Sequence, residues 1–192
     1  MNCSDMLFLL ELTLLLSVHI PPAEGEVNLA LNKPARQSGE YKPNEVYPAS
    51  NAVNGDTSDF SHTAANKSVN WWTVDLGAKY SIGSITLYNK PEPYGARLRK
   101  VSILTSNKAQ PSDPALTSGD WTRVSYQDPY YPEVATLNFN PPIEGQNVAI
   151  LNTHVEGLAL AEVEIRETTE NSKVKEVCTD KKQEFYRELP LY

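Results

Sequence analysis

The sequence predicts a single all-β sandwich domain, and three observations carry that expectation. Apolar residues alternate with polar ones over short runs, as in Trp72, Val74, Leu76, in Val101, Ile103 and in Val148, Ile150, which is the period of a strand with one buried face. No stretch between Glu26 and Glu167 holds a 3.6-residue period, so helices are not expected. Pro contributes 14 residues and, with Asn-Gly-Asp, Pro-Pro and Ser-Gly-Asp, separates the runs as turns do in all-β chains.

Residues 1–25 read as a signal peptide, with an uncleaved anchor as the alternative. The apolar run Leu7 to Val18, interrupted by Glu11 and Thr13, is too short to span a bilayer. Ala23 and Gly25 supply small residues three and one positions before a cut ahead of Glu26, although the start, Met-Asn-Cys-Ser-Asp, lacks the usual Lys or Arg. The expectation is a secreted, extracellular protein of about 165 residues, enough for one core and short of two. Processing removes Cys3 and leaves Cys178 unpaired. In an oxidising compartment Cys178 suggests an interchain disulfide and a homo-oligomer, with a free or capped thiol as the alternative.

After Val27 a weakly alternating segment leads into a loop, Glu40 to Pro48, rich in Pro, Tyr and charge. Residues 49–63 form an oxygen-rich loop. Asn51, Asn54, Asp56 and Ser61 offer carboxylate, amide and hydroxyl oxygens and Gly55 permits a tight turn. That composition fits a calcium loop and fits equally an Asx-turn loop with no metal. Asn66-Lys67-Ser68 is an N-glycosylation acceptor at Asn66. Strands are expected at Trp71–Leu76, Ser81–Asn89, Lys100–Thr105, Trp121–Tyr126, Ala135–Phe139, Asn147–Asn152 and Leu158–Arg166. The second ends in Lys90, Glu92, Tyr94 and Arg97, a polar loop on a rigid strand pair and so a candidate binding loop. Glu162 and Glu164 share one face of the last strand, a solvated face unless Glu162 turns toward the Asn51 to Ser61 loop. The domain runs over 26–168, and 169–192 is a polar tail of mixed charge.

The formal charge of −7 and the absence of a basic run disfavour nucleic acid and anionic membranes as partners. The loops offer only Tyr41, Tyr47 and Phe60 as large apolar tips, which disfavours membrane insertion. No Gly-x-Ser-x-Gly, His-Glu-x-x-His, phosphate loop or zinc Cys pair is present, so no enzyme is expected. His154 follows a strand and reads as a surface or packing residue.

Taken together, Asn-Leu-Ala near Val27, Ser-Asn-Ala-Val-Asn-Gly-Asp, His62, Trp-Trp-x-Val-Asp-Leu-Gly, Asn-Lys-Pro-Glu-Pro-Tyr-Gly-Ala-Arg-Leu and the closing Ala-Glu-Val-Glu-Ile resemble the F-type lectin (fucolectin) family, relatives of discoidin and coagulation-factor C-type domains. The resemblance covers Val27 to Glu167. It implies an eight-stranded, galactose-binding-domain-like jelly-roll sandwich with a fucose pocket in the loops at one end, braced by Ca²⁺. It places carbohydrate binding on His62, Lys90, Glu92, Tyr94 and Arg97, and calcium on Asn51, Asn54, Asp56, Ser61 and Glu162.

The family's sugar motif is His, twenty-six residues, Arg, any residue, Asp, four residues, then Arg or Lys. Here Lys90 stands one position late in place of Arg, and Glu92 in place of Asp, with Arg97 after the same gap. Lys keeps the charge and loses the planar two-donor fork. Pro93 and Tyr94 occupy the place of adjacent cysteines, and Tyr94 can supply the apolar contact instead. The implied function is recognition of terminal L-fucose on glycans. The alternative is a discoidin-like protein-binding or adhesion module that has lost sugar recognition.

Overall fold

The computed structural model describes residues 27–42, 47–65, 69–90, 95, 98–129, 131–153 and 156–168. The proposed signal peptide, Asn66, Glu92, Tyr94, Arg97, His154, Cys178 and the tail lie outside the described residues. Seven strands are seen among them: β1 (Ala35–Gln37), β2 (Ser61–His62), β3 (Asn70–Asn89), β4 (Val101–Ser106), β5 (Thr122–Gln127), β6 (Val134–Asn152) and β7 (Ala159–Glu167). A 3₁₀ turn, Ala49–Val53, precedes β2. All strand pairs are antiparallel.

Two of these strands differ from the sequence expectation. Trp71–Leu76 and Ser81–Asn89 are halves of one 20-residue strand, and Ala135–Phe139 and Asn147–Asn152 are halves of one 19-residue strand. The Gly77 break is a kink and not a turn: Gly77 has φ 84° and donates its N–H to Asp75 Oδ1 at 2.8 Å, after which the ladder resumes at Tyr80. Pro141 and Pro142 lie where the register between β3 and β6 shifts, opposite Gly83, so neither is needed as a ladder donor.

The kinks carry both strands from one layer into the other. The first half of β3 pairs with β1 and with the second half of β6, which pairs in turn with β4 and then β5. The second half of β3 lies between the first half of β6 and β7, and β2 closes that layer. Trp72, Val74, Ile103 and Ile150 from the first layer meet Ile85, Leu87, Val163 and Ile165 from the second in one buried cluster. Each of these side chains is fully buried, which makes this interior the main stabilising element. A smaller cluster of Leu104, Trp121, Ala149 and Leu151, with Trp71 against it, covers the outer side of the first layer.

One irregularity positions the candidate site. Tyr88 pairs with Glu162 and the next residue, Asn89, with Leu160, so Ala161 is an extra residue in β7. The extra residue lets Leu160 face the core along with Val163 and Ile165 and turns Glu162 outward beneath the loop that follows the 3₁₀ turn. Glu162 is only 2% exposed. Of the two readings of Glu162, a solvated strand face or a turn toward the Asn51 to Ser61 loop, the second holds: the overlying loop buries it and the Gly55 N–H donates to its Oε2.

Candidate functional site

The loop between the 3₁₀ turn and β2 is held by its own short polar side chains. Asn51 Nδ2 donates to the Phe60 carbonyl at 3.2 Å and closes the loop. The Asp56 N–H donates to Asn54 Oδ1 and the Ser58 N–H to Asp56 Oδ1, both at 2.8 Å, forming two successive Asx turns. Gly55, at φ 82°, turns its N–H onto Glu162 Oε2 at 3.2 Å. A side chain there would be strained and would crowd Leu31. Asn54 Nδ2 donates to both oxygens of Asp59 at 3.1 and 3.3 Å. Ser61 is buried in β2, its hydroxyl donating to the Leu160 carbonyl at 3.3 Å.

Asn51, Asn54, Ser61 and Glu162 are thus gathered around one loop. Asp56 belongs to the same loop, but its carboxylate is exposed and caps Ser58, a contact that lowers its pKa. Asp59, absent from the sequence expectation, is the acid of this loop that reaches Glu162 electrostatically. Its spacing, five residues after Asn54, was the available signal.

Burial pushes the Glu162 carboxyl up to about 7, helped by Glu164 and Asp59 and opposed by backbone N–H groups of Gly55 and Asn54. Its Oε1 is buried without a hydrogen-bond partner. A buried carboxylate oxygen left open beside amide, hydroxyl and carbonyl oxygens fits a hard cation. Among the described residues no three His, Cys, Asp or Glu side chains gather as a metal group, so neutral oxygens would supply most ligands.

Next to this loop lies an aromatic cluster centred on His62. Tyr41 meets the imidazole edge-on with ring centroids 4.4 Å apart. Tyr47 stacks on Phe60 at 4.7 Å, and both rings stand about 6 Å from His62, at 6.2 and 6.3 Å. The backbone ties these loops together. His62 accepts from the Tyr41 N–H at 3.0 Å and donates to the Tyr47 carbonyl at 3.2 Å, while Gln37 Nε2 bridges the carbonyls of Tyr47 and His62, each at 3.1 Å. His62 is 4% exposed. Lys90 reaches the cluster from the end of β3, its Nζ 3.7 Å from the centroid of Phe60.

The root of the Lys90 loop is clamped by a residue that the sequence expectation passed over. Asn89, buried at the strand end, donates from Nδ2 to the Gly95 carbonyl at 2.7 Å and to the Tyr131 carbonyl at 3.1 Å. A lone Asn closing an alternating strand, just before Lys-Pro, was its only sequence signal.

Gly157 approaches this site so closely that no side chain fits. A Cβ there would lie 2.4 Å from the Thr63 carbonyl oxygen and 3.4 Å from His62 Nε2. Gly157→Ala is expected to lose about 1–3 kcal/mol and to shift the His62 ring resonances. Chemical denaturation together with imidazole NMR checks this, and wild-type values for both would contradict the packing described.

Residues 51–150 match the F5/F8 type C family described as the NedA-like, galactose-binding domain. Among curated proteins, Fucolectin-4 of Anguilla japonica is 28% identical over 155 residues, covering 78% of this chain and 84% of its own. Fucolectin of Anguilla anguilla is 29% identical over 160 residues, 76% and 94% of the two chains. Among solved structures, the F-lectin (fucolectin) from Morone saxatilis (striped bass) serum superposes with a TM-score of 0.64 at 28% identity. The match covers 74% of this chain and 49% of the bass chain, so the present chain spans about half of that protein. The lectin domain of lectinolysin, solved with Lewis B antigen, shares the fold with a TM-score of 0.61 at 23% identity, covering 74% and 98% of the two chains. With its jelly-roll-like layers and a family match over more than half its length, the chain belongs to the F5/F8 type C family of NedA-like, galactose-binding domains.

Proposed function

We propose that the protein is a lectin that binds terminal L-fucose on glycans or glycoproteins without altering it. The observation that carries this reading is the convergence of His62 and Lys90 on one aromatic cluster beside an oxygen-rich loop, at one end of the sandwich. The similarity to fucolectins supports the sugar class. In this reading Lys90 and Arg97 donate to the ring oxygen and hydroxyls, His62 donates to an axial hydroxyl as Tyr41 turns aside, and Glu92 orients the two cations. Tyr94, with the Tyr41–Phe60 cluster, receives the apolar face and methyl group of the sugar.

Calcium, in the same proposal, is held by Glu162, Asn51, Asn54, Asp56 and Ser61, with Asp59 adding charge. It would fix the loop that carries β2 and hence His62. The protein is secreted after cleavage before Glu26 and glycosylated at Asn66. N-terminal sequencing and glycosidase-dependent mass of protein from a eukaryotic host test both, and an uncleaved, unmodified chain would contradict them.

The burial of His62 beneath Tyr41 favours a second reading, a partner-binding module without sugar recognition. A variant series separates the two. Each charge-assisted hydrogen bond in a partly desolvated pocket contributes about 1.5–3 kcal/mol, roughly tenfold or more in affinity. Arg97→Ala and Lys90→Ala should therefore each weaken fucose binding by that factor, while Lys90→Arg, which keeps the contact with Phe60 and restores the fork, should hold or improve it. Fucose affinity that ignores all three changes would place recognition elsewhere.

A further inference from the structure

The outer face of the first layer carries a groove that the loop-end site does not use. Its floor is the outward side of β3, where Trp71, Thr73 and Asp75 alternate with the core residues Trp72, Val74 and Leu76. Alternate strand residues repeat every ~6.7 Å, giving about 13 Å of floor, the length of a short oligomer. One wall is β1 with Arg36, and the other is the loop after β4 through Asp113. Two depressions of about 560 and 590 Å³ meet at Arg36.

The far wall is built rather than slack. Trp121 Nε1 donates to the Ser112 carbonyl at 2.9 Å, the Ser112 N–H donates to Asp120 Oδ2 at 2.9 Å, and Asn147 Nδ2 donates to the Lys108 carbonyl at 2.7 Å. Lys108 also pairs with Asp120. Arg36, by contrast, is loosely held. Its guanidinium lies 5.7 Å from the Trp71 centroid, at the outer limit of a cation–π contact, and its 3.3 Å pair with Asp113 joins two side chains that are 56% and 68% exposed. A ligand can exchange for both contacts at little cost. Asp75 is fixed, its Oδ1 accepting from Gly77 N–H and from Gln146 Nε2.

A flat indole with a planar multi-donor beside it and a fixed acceptor, Asp75, further along the floor is the chemistry that takes sugar rings, apolar on their faces and hydroxylated around their edges. Arg36 against Asp75 and Asp113 leaves the groove one charge negative, which selects against sialylated or sulfated glycans. An extended peptide cannot add to the floor strand, whose backbone is already paired on both sides, with β1 and with β6. We propose that this groove is a second glycan-binding site, taking a short neutral oligosaccharide with one ring over Trp71 and its hydroxyls on Arg36, Asp75 and Asp113.

The test is ¹⁵N–¹H NMR of the labelled full chain titrated with cellotriose and with triacetylchitotriose, both neutral and free of fucose. Sialyllactose serves as the anionic control and L-fucose as the marker of the loop-end site. At least one neutral trisaccharide should give saturable shifts at the Trp71 indole and the Arg36 and Asp113 amides, undisturbed by fucose. Arg36→Ala and Asp113→Ala, at exposed positions, should weaken those shifts about tenfold, and Trp71→Phe should weaken them further. Neutral sugars that leave the groove unshifted, sialyllactose that shifts it equally, or shifts insensitive to all three variants would each overturn the proposal. Groove shifts without any response to fucose would keep this site and remove the loop-end reading.

Discussion

Trp72→Ala is expected to cost about 3–5 kcal/mol for the lost side chain and the cavity it leaves. Trp72 is fully buried in the main core, and its Nε1 donates to the Ala49 carbonyl at 2.9 Å. The substitution also removes that hydrogen bond from a buried residue of the 3₁₀ turn, at a further cost of about 0.5–1.5 kcal/mol. Against a typical stability of about 5–15 kcal/mol this removes much or all of the margin. Because Ala49 begins the segment that leads through Asn51 to β2, the surviving folded fraction should also lose order around His62. Trp72→Phe, which fills most of the space and loses the hydrogen bond, should fall between Ala and wild type. Urea midpoints read the series, and a Trp72→Ala midpoint within 1 M of wild type, at a slope of ~1–3 kcal/mol per M, would contradict this account of the core.

Without a divalent cation, stability should fall as pH rises through the Glu162 titration. Its folded pKa of about 7 lies above the reference value of 4.5, so the folded state holds the proton more tightly. The stabilisation is fully present below the unfolded value and lost as pH rises through the folded one, a fall of about 3 kcal/mol between pH 4.5 and 7. Glu162→Gln should flatten that dependence and, in EDTA at pH 8, be more stable than wild type. Calcium reverses the trend. A cation held only by the ionised, folded site adds RT ln(1 + [L]/Kd), about 2.7 kcal/mol at one hundred times Kd, and adds it above pH 7 rather than at pH 5. Melting curves in EDTA and in calcium across this range give the answer. A pH-independent melting temperature in EDTA would remove the buried-carboxylate argument, and an equal response of Glu162→Gln to calcium would remove that residue from the site.

Much of this was legible in the chain before its structure. The alternation of Trp72, Val74, Leu76 and of Val148, Ile150 marks residues that are buried in the core, because a period of two leaves one face to bury. Continuity of β3 and β6 was not legible. Gly77 and the Pro141–Pro142 pair read as breaks, yet an Asx turn at Asp75 and a register shift absorb them, and neither has a local composition distinct from a turn. Ser61, Asn51 and Glu162 were legible as a group only through family resemblance, since the bulge at Ala161 that turns Glu162 toward the loop depends on pairing between residues over seventy positions apart. The burial of His62 escaped sequence reasoning for the same reason: Tyr41, Tyr47 and Phe60 read as exposed loop tips and instead pack on one another.

Calorimetric titration of the wild-type chain with L-fucose and with L-galactose, in calcium, tests the central claim most directly. The two sugars share a hydroxyl arrangement and differ where fucose carries a methyl group that the Tyr41–Phe60 cluster can cover, a difference of about 1–3 kcal/mol for one apolar group in a pocket. The account predicts saturable fucose binding, lost on calcium removal, with galactose weaker by roughly tenfold or more. No heat with fucose at millimolar concentration in calcium would contradict it and leave the partner-binding reading in its place.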